Sequence, residues 1–527
     1  VGTVPLKPLG KGCKITYIPT ETPDRHNKRW VRIARVETTG AYTPFAHYDC
    51  VHNQIAALRN RVLAHVPEPT NDGLSKLRTQ ARRIIRYLPN VPEADLYDMP
   101  NHYHGAKRER YIRAADDLLN YGLDRIEAKV KMFVKFEKLN STKVNPDPRA
   151  IQFRHPKYCV AVGKYLKPME EYLYRLHGDG TVLPATRVIG KGLSSDERAE
   201  LLRMKMREFT DVCVLSLDAS RFDQHVSREL LEIEHSIYLA MNDNDEFRML
   251  LSWQLDNKGV SSLGIKYKCR GRRMSGDMNT ALGNCLLMVL MVSCFMYGKK
   301  YDILDDGDDC LLLIERQDQL WVETHIMDEF LSYGMELKVE NVAYELEGVE
   351  WCQCKPIQVT AEKVRFIRSP HKVMSAALGG TKYFVQEGAR RKLVNTIGMA
   401  ELILNLGVPV LQEFALALMR NAATTKSFAL ADLDSYFHRL KRELSAMNMR
   451  QLARVQPVPI TDEARQSFFL AYGMTWGEQL ALEGFLSRWV FRMDTTEIVV
   501  GELDVPRWEW NQSYTPELHS VWDDNKT

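Results

Sequence analysis

Net charge is what this 527-residue sequence has least of: 71 Lys plus Arg stand against 68 Asp plus Glu, a balance of +3. That excludes a global polycation holding nucleic acid by charge alone, so any such argument must be local. The ten cysteines show no spacing framework, and the one close pair, Cys352 with Cys354, has no neighbouring residues to complete a zinc site. Reduced thiols in a cytosolic setting are the expectation. No Gly-x4-Gly-Lys-Ser/Thr phosphate loop, internal repeat or low-complexity segment occurs, which leaves P-loop enzymes and solenoids without support. No signal peptide opens the chain. Its first residue is Val rather than Met, which predicts a processed or truncated piece of something longer. Uncharged length is scarce too: Met278 to Gly298 is the membrane candidate, yet Thr280, Gly283 and Asn284 at its start and Lys299 and Lys300 after it predict a buried core helix and no transmembrane segment.

What is present begins with Tyr301 to Ile314, YDILDDGDDCLLLI. Apolar residues flank an acidic turn, so the pattern predicts a hairpin with Asp-Gly at its bend. Asp305, Asp306, Asp308 and Asp309 crowd around Gly307 and repel one another unless a cation, most simply a divalent metal, neutralises them. Val212 to Leu217, VCVLSL, reads as a buried strand delivering Asp218, with Asp223 five residues on and a helix starting at Ser227. Ser275-Gly276 is expected as a flexible loop feeding the apolar helix, where Thr280 and Asn284, four apart, point the same way.

Positive charge is concentrated rather than abundant. Between Lys129 and Arg175 there are 11 Lys or Arg against 4 acidic residues. Within that stretch lie Lys135, Lys138 and Lys143, then Arg149 to Arg154, where alternation predicts a strand after the NPDP turn. Arginine's fixed fork matches phosphate oxygens, and several cations together suit a triphosphate. Leu74 to Leu88 is expected as an amphipathic helix with a wholly basic outer face, and Trp30 to Val36 as strand-like. Further helices are expected at Leu320–Leu331, Leu393–Leu406, Val408–Met419, Leu430–Met447 and Trp476–Val490, with a hairpin-like Glu350 to Cys354. The length suggests about three domain-sized units.

Taken in order, Asp218 with Asp223, then Ser275-Gly276 with Thr280 and Asn284, then Gly307-Asp308-Asp309 resemble motifs A, B and C of viral RNA-dependent RNA polymerases. The strings LDASRFDQHVS, RMSGDMNTALGNCLLM and DGDDC resemble those of the tombusvirus family of positive-strand RNA viruses, and PDPRAIQFR resembles their motif F. The resemblance covers roughly Lys129 to Arg368 and implies an α+β right-hand fingers-palm-thumb polymerase. Its antiparallel palm sheet would be flanked by helices, and its thumb would be mostly helical. The implied division is fingers at 1–210 and 242–273, palm at 211–241 (motif A) and 274–368 (motifs B to E), and thumb with tail at 369–527.

Two Mg²⁺ ions about 3.5–4 Å apart, with Mn²⁺ able to substitute, would activate a primer 3′-hydroxyl and hold the leaving pyrophosphate. Asp218 and Asp308 are the expected metal ligands, with Asp309 in support. The resemblance also implies that Asp223 and Asn284, with Ser275 or Thr280 and Gly276 nearby, read the ribose; the 2′-hydroxyl both donates and accepts. It puts Arg149 at the triphosphate with Lys135, Lys138 and Arg154 as helpers, and Lys338 as the acid for the pyrophosphate. Trp351-Cys352-Gln353 matches motif E, which supports the primer end. One departure stands out: relatives often carry Asn before the Asp-Gly-Asp-Asp, where this chain has Asp305.

The implied partners are an RNA template, the nascent strand and ribonucleoside triphosphates, with viral or host replication proteins besides. The implied place is the host cytoplasm, at membrane-associated sites through a partner or a missing N-terminal segment. Primer-independent initiation is expected, with the aromatic tail around Trp508 and Trp510 as a priming or exit-blocking element. A reverse transcriptase or DNA polymerase on the same palm and a non-catalytic RNA-binding scaffold are the alternatives.

Overall fold

The computed structural model describes residues 5–17, 29–140, 146–429, 449–498 and 500–501. Lys143, the expected helix Leu430–Met447 and the aromatic tail with Trp508, Trp510, Tyr514 and Trp522 lie outside the described residues. Two sheets position the candidate site, and their strands are β1 (Lys14–Thr16), β2 (Val130–Val134), β3 (Ala150–Phe153), β4 (Val212–Ala219), β5 (Asp256–Ser261), β6 (Lys266–Arg270), β7 (Tyr301–Asp306), β8 (Asp309–Glu315) and β9 (Leu337–Ala343). The first sheet runs β1-β6-β5-β2-β3; within it β2 and β5 are parallel and the other pairs antiparallel. The second, wholly antiparallel, runs β7-β8-β4-β9. The protein is thus a mixed α+β structure.

Strand β4 is an inner strand of the second sheet and is buried on both faces, which is why it reads as a continuous hydrophobic run rather than an alternating one. Cys213, Leu215 and Leu217 pack with helices α1 (Arg228–Met241) and α2 (Thr280–Phe295). Val214 belongs to the opposite cluster, with Leu311, Leu313, Trp351 and Phe366. Because side chains alternate, Asp218 belongs to the Val214 face, at the end of the strand where the core runs out. Helix α2 is the uncharged stretch, buried from Leu282 to Ser293 apart from Asn284. No helix among the described residues is long and apolar enough to cross a membrane.

The hairpin forms where expected, but its bend is one residue later. Asp306 pairs with Asp309, so the central residues are Gly307-Asp308, with Gly307 at φ +77°. A positive φ at the first central position is what a tight II′ turn requires, and glycine supplies it without strain.

The Ser275-Gly276 loop is pinned rather than flexible. Strand β3 is a sheet edge, and the loop closes it: Gly276 N–H donates to Gln152 O at 2.6 Å, Gln152 N–H donates to Ser275 Oγ at 2.9 Å, and Ser275 Oγ donates to Ala150 O at 3.1 Å.

The expected strand over Trp30 to Val36 shrinks to Val31–Arg32, which pairs with Gly379–Gly380 and Thr496–Glu497, so this amino-terminal stretch joins the core of the helical last third. The helices there are Arg390–Leu404, Leu411–Ala422 and Trp476–Arg488, close to expectation, plus Asp462–Tyr472 capped by Thr461.

A Cβ at Gly276 would fall 2.5 Å from Gln152 O and 2.9 Å from Phe153 Cβ. Gly276→Ala is therefore expected to prise the loop off β3 and destabilise the protein by about 1–3 kcal/mol. Thermal melting at neutral pH checks this, and an unchanged melting temperature would contradict the pinned-edge account.

Candidate active site

Register decides which carboxylates meet. Asp218 on β4 lies opposite Asp309 on β8 and opposite Lys338 on β9, so all three side chains share one face at the end of the sheet. Asp308 enters from the turn, with Ala219 N–H donating to its carbonyl at 3.4 Å. Burial first, then Glu340 and Asp308, pushes the Asp218 carboxyl up to about 6, while Lys338 pulls the other way. Asp309 is pushed up to about 7 by burial and by the Asp308 and Asp218 charges. Burial also raises Asp308. Three acids held uphill of their ordinary range form a site that gains from a cation.

The other two acids of the hairpin do different work. Asp305 is fully buried; its Oδ2 accepts from Gly307 N–H at 3.0 Å, and burial holds its carboxyl well above the usual range. It caps the bend, and its burial favours the neutral form of the acid. Burial would raise Asp306 too, but Lys191 and Arg198, the latter at 2.9 Å, outweigh it and keep the carboxylate charged. The expected crowd of four thus resolves into one cap, one ion-paired carboxylate, and Asp308 with Asp309 at the end of the sheet.

Among the described residues no three His, Cys, Asp or Glu side chains gather tightly enough to hold a metal by themselves. Asp218 and Asp308 do face a common cavity, and Mg²⁺ is commonly bound by one or two carboxylates with water and substrate phosphate completing its shell. The donor set fits that ion.

The cavity, about 450 Å³, lies between the two sheets. Asp223, Ser275, Thr280 and Asn284 line it together with Asp218 and Asp308. Asn284 Nδ2 donates to Asp223 Oδ1 at 2.8 Å, and Thr280 Oγ1 donates to Met274 O at 2.6 Å. Lys135 and Arg149 line the same cavity, joined where Lys135 N–H donates to Arg149 O at 2.7 Å and each tethered to Glu137 across 3.4 and 3.6 Å.

Two expected helpers are elsewhere. Arg154 is buried and bidentate to Asp277, at 2.5 and 2.9 Å, and donates to Ala128 O and Asn257 Oδ1 besides. It is a structural crosslink, committed because a buried guanidinium must satisfy all its donors. Lys138 donates to Ala376 O at 3.0 Å, away from the cavity. Gly276 belongs to the loop-to-edge packing and not to the cavity wall.

Lys338 is exposed beside Asp218 but outside the cavity lining. Trp351 Nε1 donates to Asp309 O at 3.0 Å, so the Trp351 to Cys354 turn is anchored beneath the acidic hairpin. Cys352 and Gln353 sit at its centre with φ of +53° and +59°, left-handed conformations held by a reciprocal Trp351–Cys354 backbone pair at 2.9 Å. Gln353 accepts from Lys372, and Cys352 Sγ reaches Asp306 at 3.5 Å.

Four arginines escaped the sequence reading. Arg221, Arg272 and Arg273 line the cavity but are occupied by protein acceptors. Arg61 has no hydrogen-bond or ion-pair partner among the described residues. It rises from a π-helical turn, Leu58–Val62, an irregularity that periodicity cannot reveal, and burial together with Arg149 and Arg221 lowers its proton affinity.

The profile described as viral RNA dependent RNA polymerase matches residues 17–494. The chain belongs to that family. Among its relatives are proteins named RNA-directed RNA polymerase from Tobacco necrosis virus (strain D), 34% identical over 81% of this chain and 59% of theirs, and from Turnip crinkle virus, 36% identical over 80% and 54%. The corresponding protein of Tomato bushy stunt virus (strain Cherry) is 34% identical over 82% and 52%. This viral polymerase-family chain therefore spans a little over half the length of the curated relatives it matches, and the expected tombusvirus-type resemblance holds along most of it.

Protonated Asp218 and Asp309 favour the folded state, and that contribution fades as pH climbs from the unfolded value near 3.8 through about 6 and 7. The metal-free protein should lose melting temperature between pH 5 and pH 8. Asp218→Asn is expected to flatten that slope and to raise the pH 8 melting point by about 1–3 °C; a slope identical to wild type would contradict the burial of these charges.

Proposed function

We propose that this chain performs template-directed RNA synthesis, joining ribonucleoside triphosphates on an RNA template to replicate a positive-strand viral genome. One observation carries the reading. A single cavity gathers Asp218 and Asp308, the Asp223–Asn284 pair and the cations Arg61, Lys135 and Arg149, from segments far apart in the chain. Carboxylates, ribose-sized polar groups and phosphate-sized cations around one cavity are what nucleotidyl transfer needs.

In this reading the β7-β8-β4-β9 sheet is the palm, formed by 211–241 and 274–368, with fingers at 1–210 and 242–273 and a thumb at 369–527. Asp218 and Asp308, with Asp309 alongside, would hold two Mg²⁺ ions or their Mn²⁺ substitutes, which when bound supply activation of the 3′-hydroxyl and charge for the departing pyrophosphate. Arg149, Lys135 and Arg61 hold the triphosphate, and Lys338 donates a proton to the pyrophosphate. Asp223 and Asn284 meet the 2′-hydroxyl with an acceptor and a donor. The Trp351 to Gln353 turn supports the primer end. Template and nascent strand bind through their backbones, with steep salt dependence. We further propose starts without a primer, in the host cytoplasm, at membranes reached through a partner or a segment beyond this chain.

Asp308→Ala is expected to abolish incorporation of labelled ribonucleotides on a short template, by 10³-fold or more on the order of lost metal-site catalysis, with melting and RNA binding nearly unchanged. Incorporation retained by that variant would refute the assignment. Unprimed template in the same assay reads the initiation mode, and products confined to primed template would dismiss unprimed starts.

Arg61→Ala should raise the nucleotide KM about tenfold, the effect of one charge-assisted contact, with kcat little altered. Steady-state kinetics check this, and an unchanged KM would remove Arg61 from the triphosphate site.

A further inference from the structure

Beneath the Asp223–Asn284 pair lies an ion pair closed to solvent. The side chains of Arg273 and Glu234 are 1% and 0% exposed, and two guanidinium nitrogens of Arg273 face the two Glu234 oxygens. Glu234 Oε2 also accepts from Asn279 Nδ2 at 2.8 Å and from Tyr238 OH at 3.1 Å, so the carboxylate is fully engaged. Gly283 on α2 makes room for the pair: a Cβ there would fall 2.5 Å from Arg273 Nη2 and closer still to Glu234 Oε1. Burying two charges costs more than their attraction commonly returns, so an apolar filling would serve stability as well. The pair's position indicates a different use.

The third donor of the same guanidinium points at the site. Arg273 Nε donates to Asn284 Oδ1 at 2.9 Å, and Arg273 N–H donates to Asp223 O at 2.9 Å. A guanidinium has no acceptor, so the Asn284 atom that faces it must be the carbonyl oxygen, and the amide nitrogen must then face Asp223. The amide of Asn284 is thereby held one way round. One of its N–H groups and the Asp223 Oδ2 atom receive no partner among the described residues, and both residues line the cavity. The neighbouring hydroxyls cannot replace that donor, because Ser275 and Thr280 spend theirs on Ala150 O and Met274 O.

We propose that the buried Arg273–Glu234 pair is a positioning device for ribose selection: it locks the Asn284 amide so that a free N–H and the free Asp223 oxygen face the sugar together. This rests on the ribonucleotide reading above. Without the lock the amide can turn over, presenting an oxygen where the 2′-hydroxyl needs a donor, and only a substrate bearing that hydroxyl suffers. Arg273→Lys keeps the charge opposite Glu234 but loses the fork that serves Glu234 and Asn284 at once.

The test is single-nucleotide extension of a primed RNA template by the full chain, with a ribonucleotide and its 2′-deoxy counterpart measured separately. Wild type, Arg273→Lys, Asn284→Ala and the double variant are compared, with melting curves to establish folding. The ratio of ribo to deoxy efficiency should fall about tenfold in Arg273→Lys, as for one misdirected hydrogen bond, through a higher KM for the ribonucleotide alone. It should fall no further when Arg273→Lys is added to Asn284→Ala.

An unchanged ratio, equal losses for both nucleotides, or additive effects in the double variant would overturn the proposal. Should Arg273→Lys fail to fold, Glu234→Gln, which keeps the shape and an acceptor, reads the same ratio. If wild type extends with neither nucleotide, the polymerase reading itself falls, and this inference with it.

Discussion

Asp218 opposite Asp309 is a register that repulsion disfavours, and the surrounding structure is arranged to impose it. Two carboxylates face each other across β4 and β8, and a third sits at the adjoining turn. The apolar residues behind them set the pairing: Leu217 against Cys310, Leu215 against Leu312 and Cys213 against Ile314 bury one face, while Val214, Leu311 and Leu313 bury the other. A slip of one residue would turn every one of these to the wrong side, so core burial outweighs the local repulsion. The charge that accumulates is stored at the open end of the sheet, where a cation can meet it.

The walls of the site follow a related logic, in which backbone edges and arginines, rather than apolar packing, hold the polar pieces in place. The Ser275-Gly276 loop completes an open edge of the first sheet, Arg272 ties Gln224 to the backbone at Ala64, and Arg221 ties the strand-to-helix turn to Asn60 and Asp147. Each crosslink joins segments remote in the chain, and together they leave few donors of the wall free. Among the described residues, those left uncommitted at Arg61 and Asn284 open onto one cavity together with the free acceptor oxygen of Asp223.

The acidic hairpin, the strand leading to Asp218 and the helix capped by Ser227 were legible because each is a short-range pattern: alternation, an apolar run, a capping residue. So were the members of the cavity named by their resemblance to a known family. Arg154 and Arg149, five residues apart on one basic stretch, could not be separated in this way. Which one opens onto the cavity and which is consumed by Asp277 depends on a partner 123 residues away. Arg61 was equally invisible, since its direction comes from a π-helical turn with no sequence period of its own.

The amino-acid string therefore fixed which chemistry is available and roughly where along the chain it sits, because propensity and periodicity act over a few residues. Tertiary structure alone chose among like residues. It set Asp305 to cap a turn, Asp306 to pair with Lys191 and Arg198, and Asp308 to face the cavity, though all three occur within four positions. The physical reason is that a charge takes its role from its neighbours' distance and its own burial, and both are properties of segments brought together only by folding.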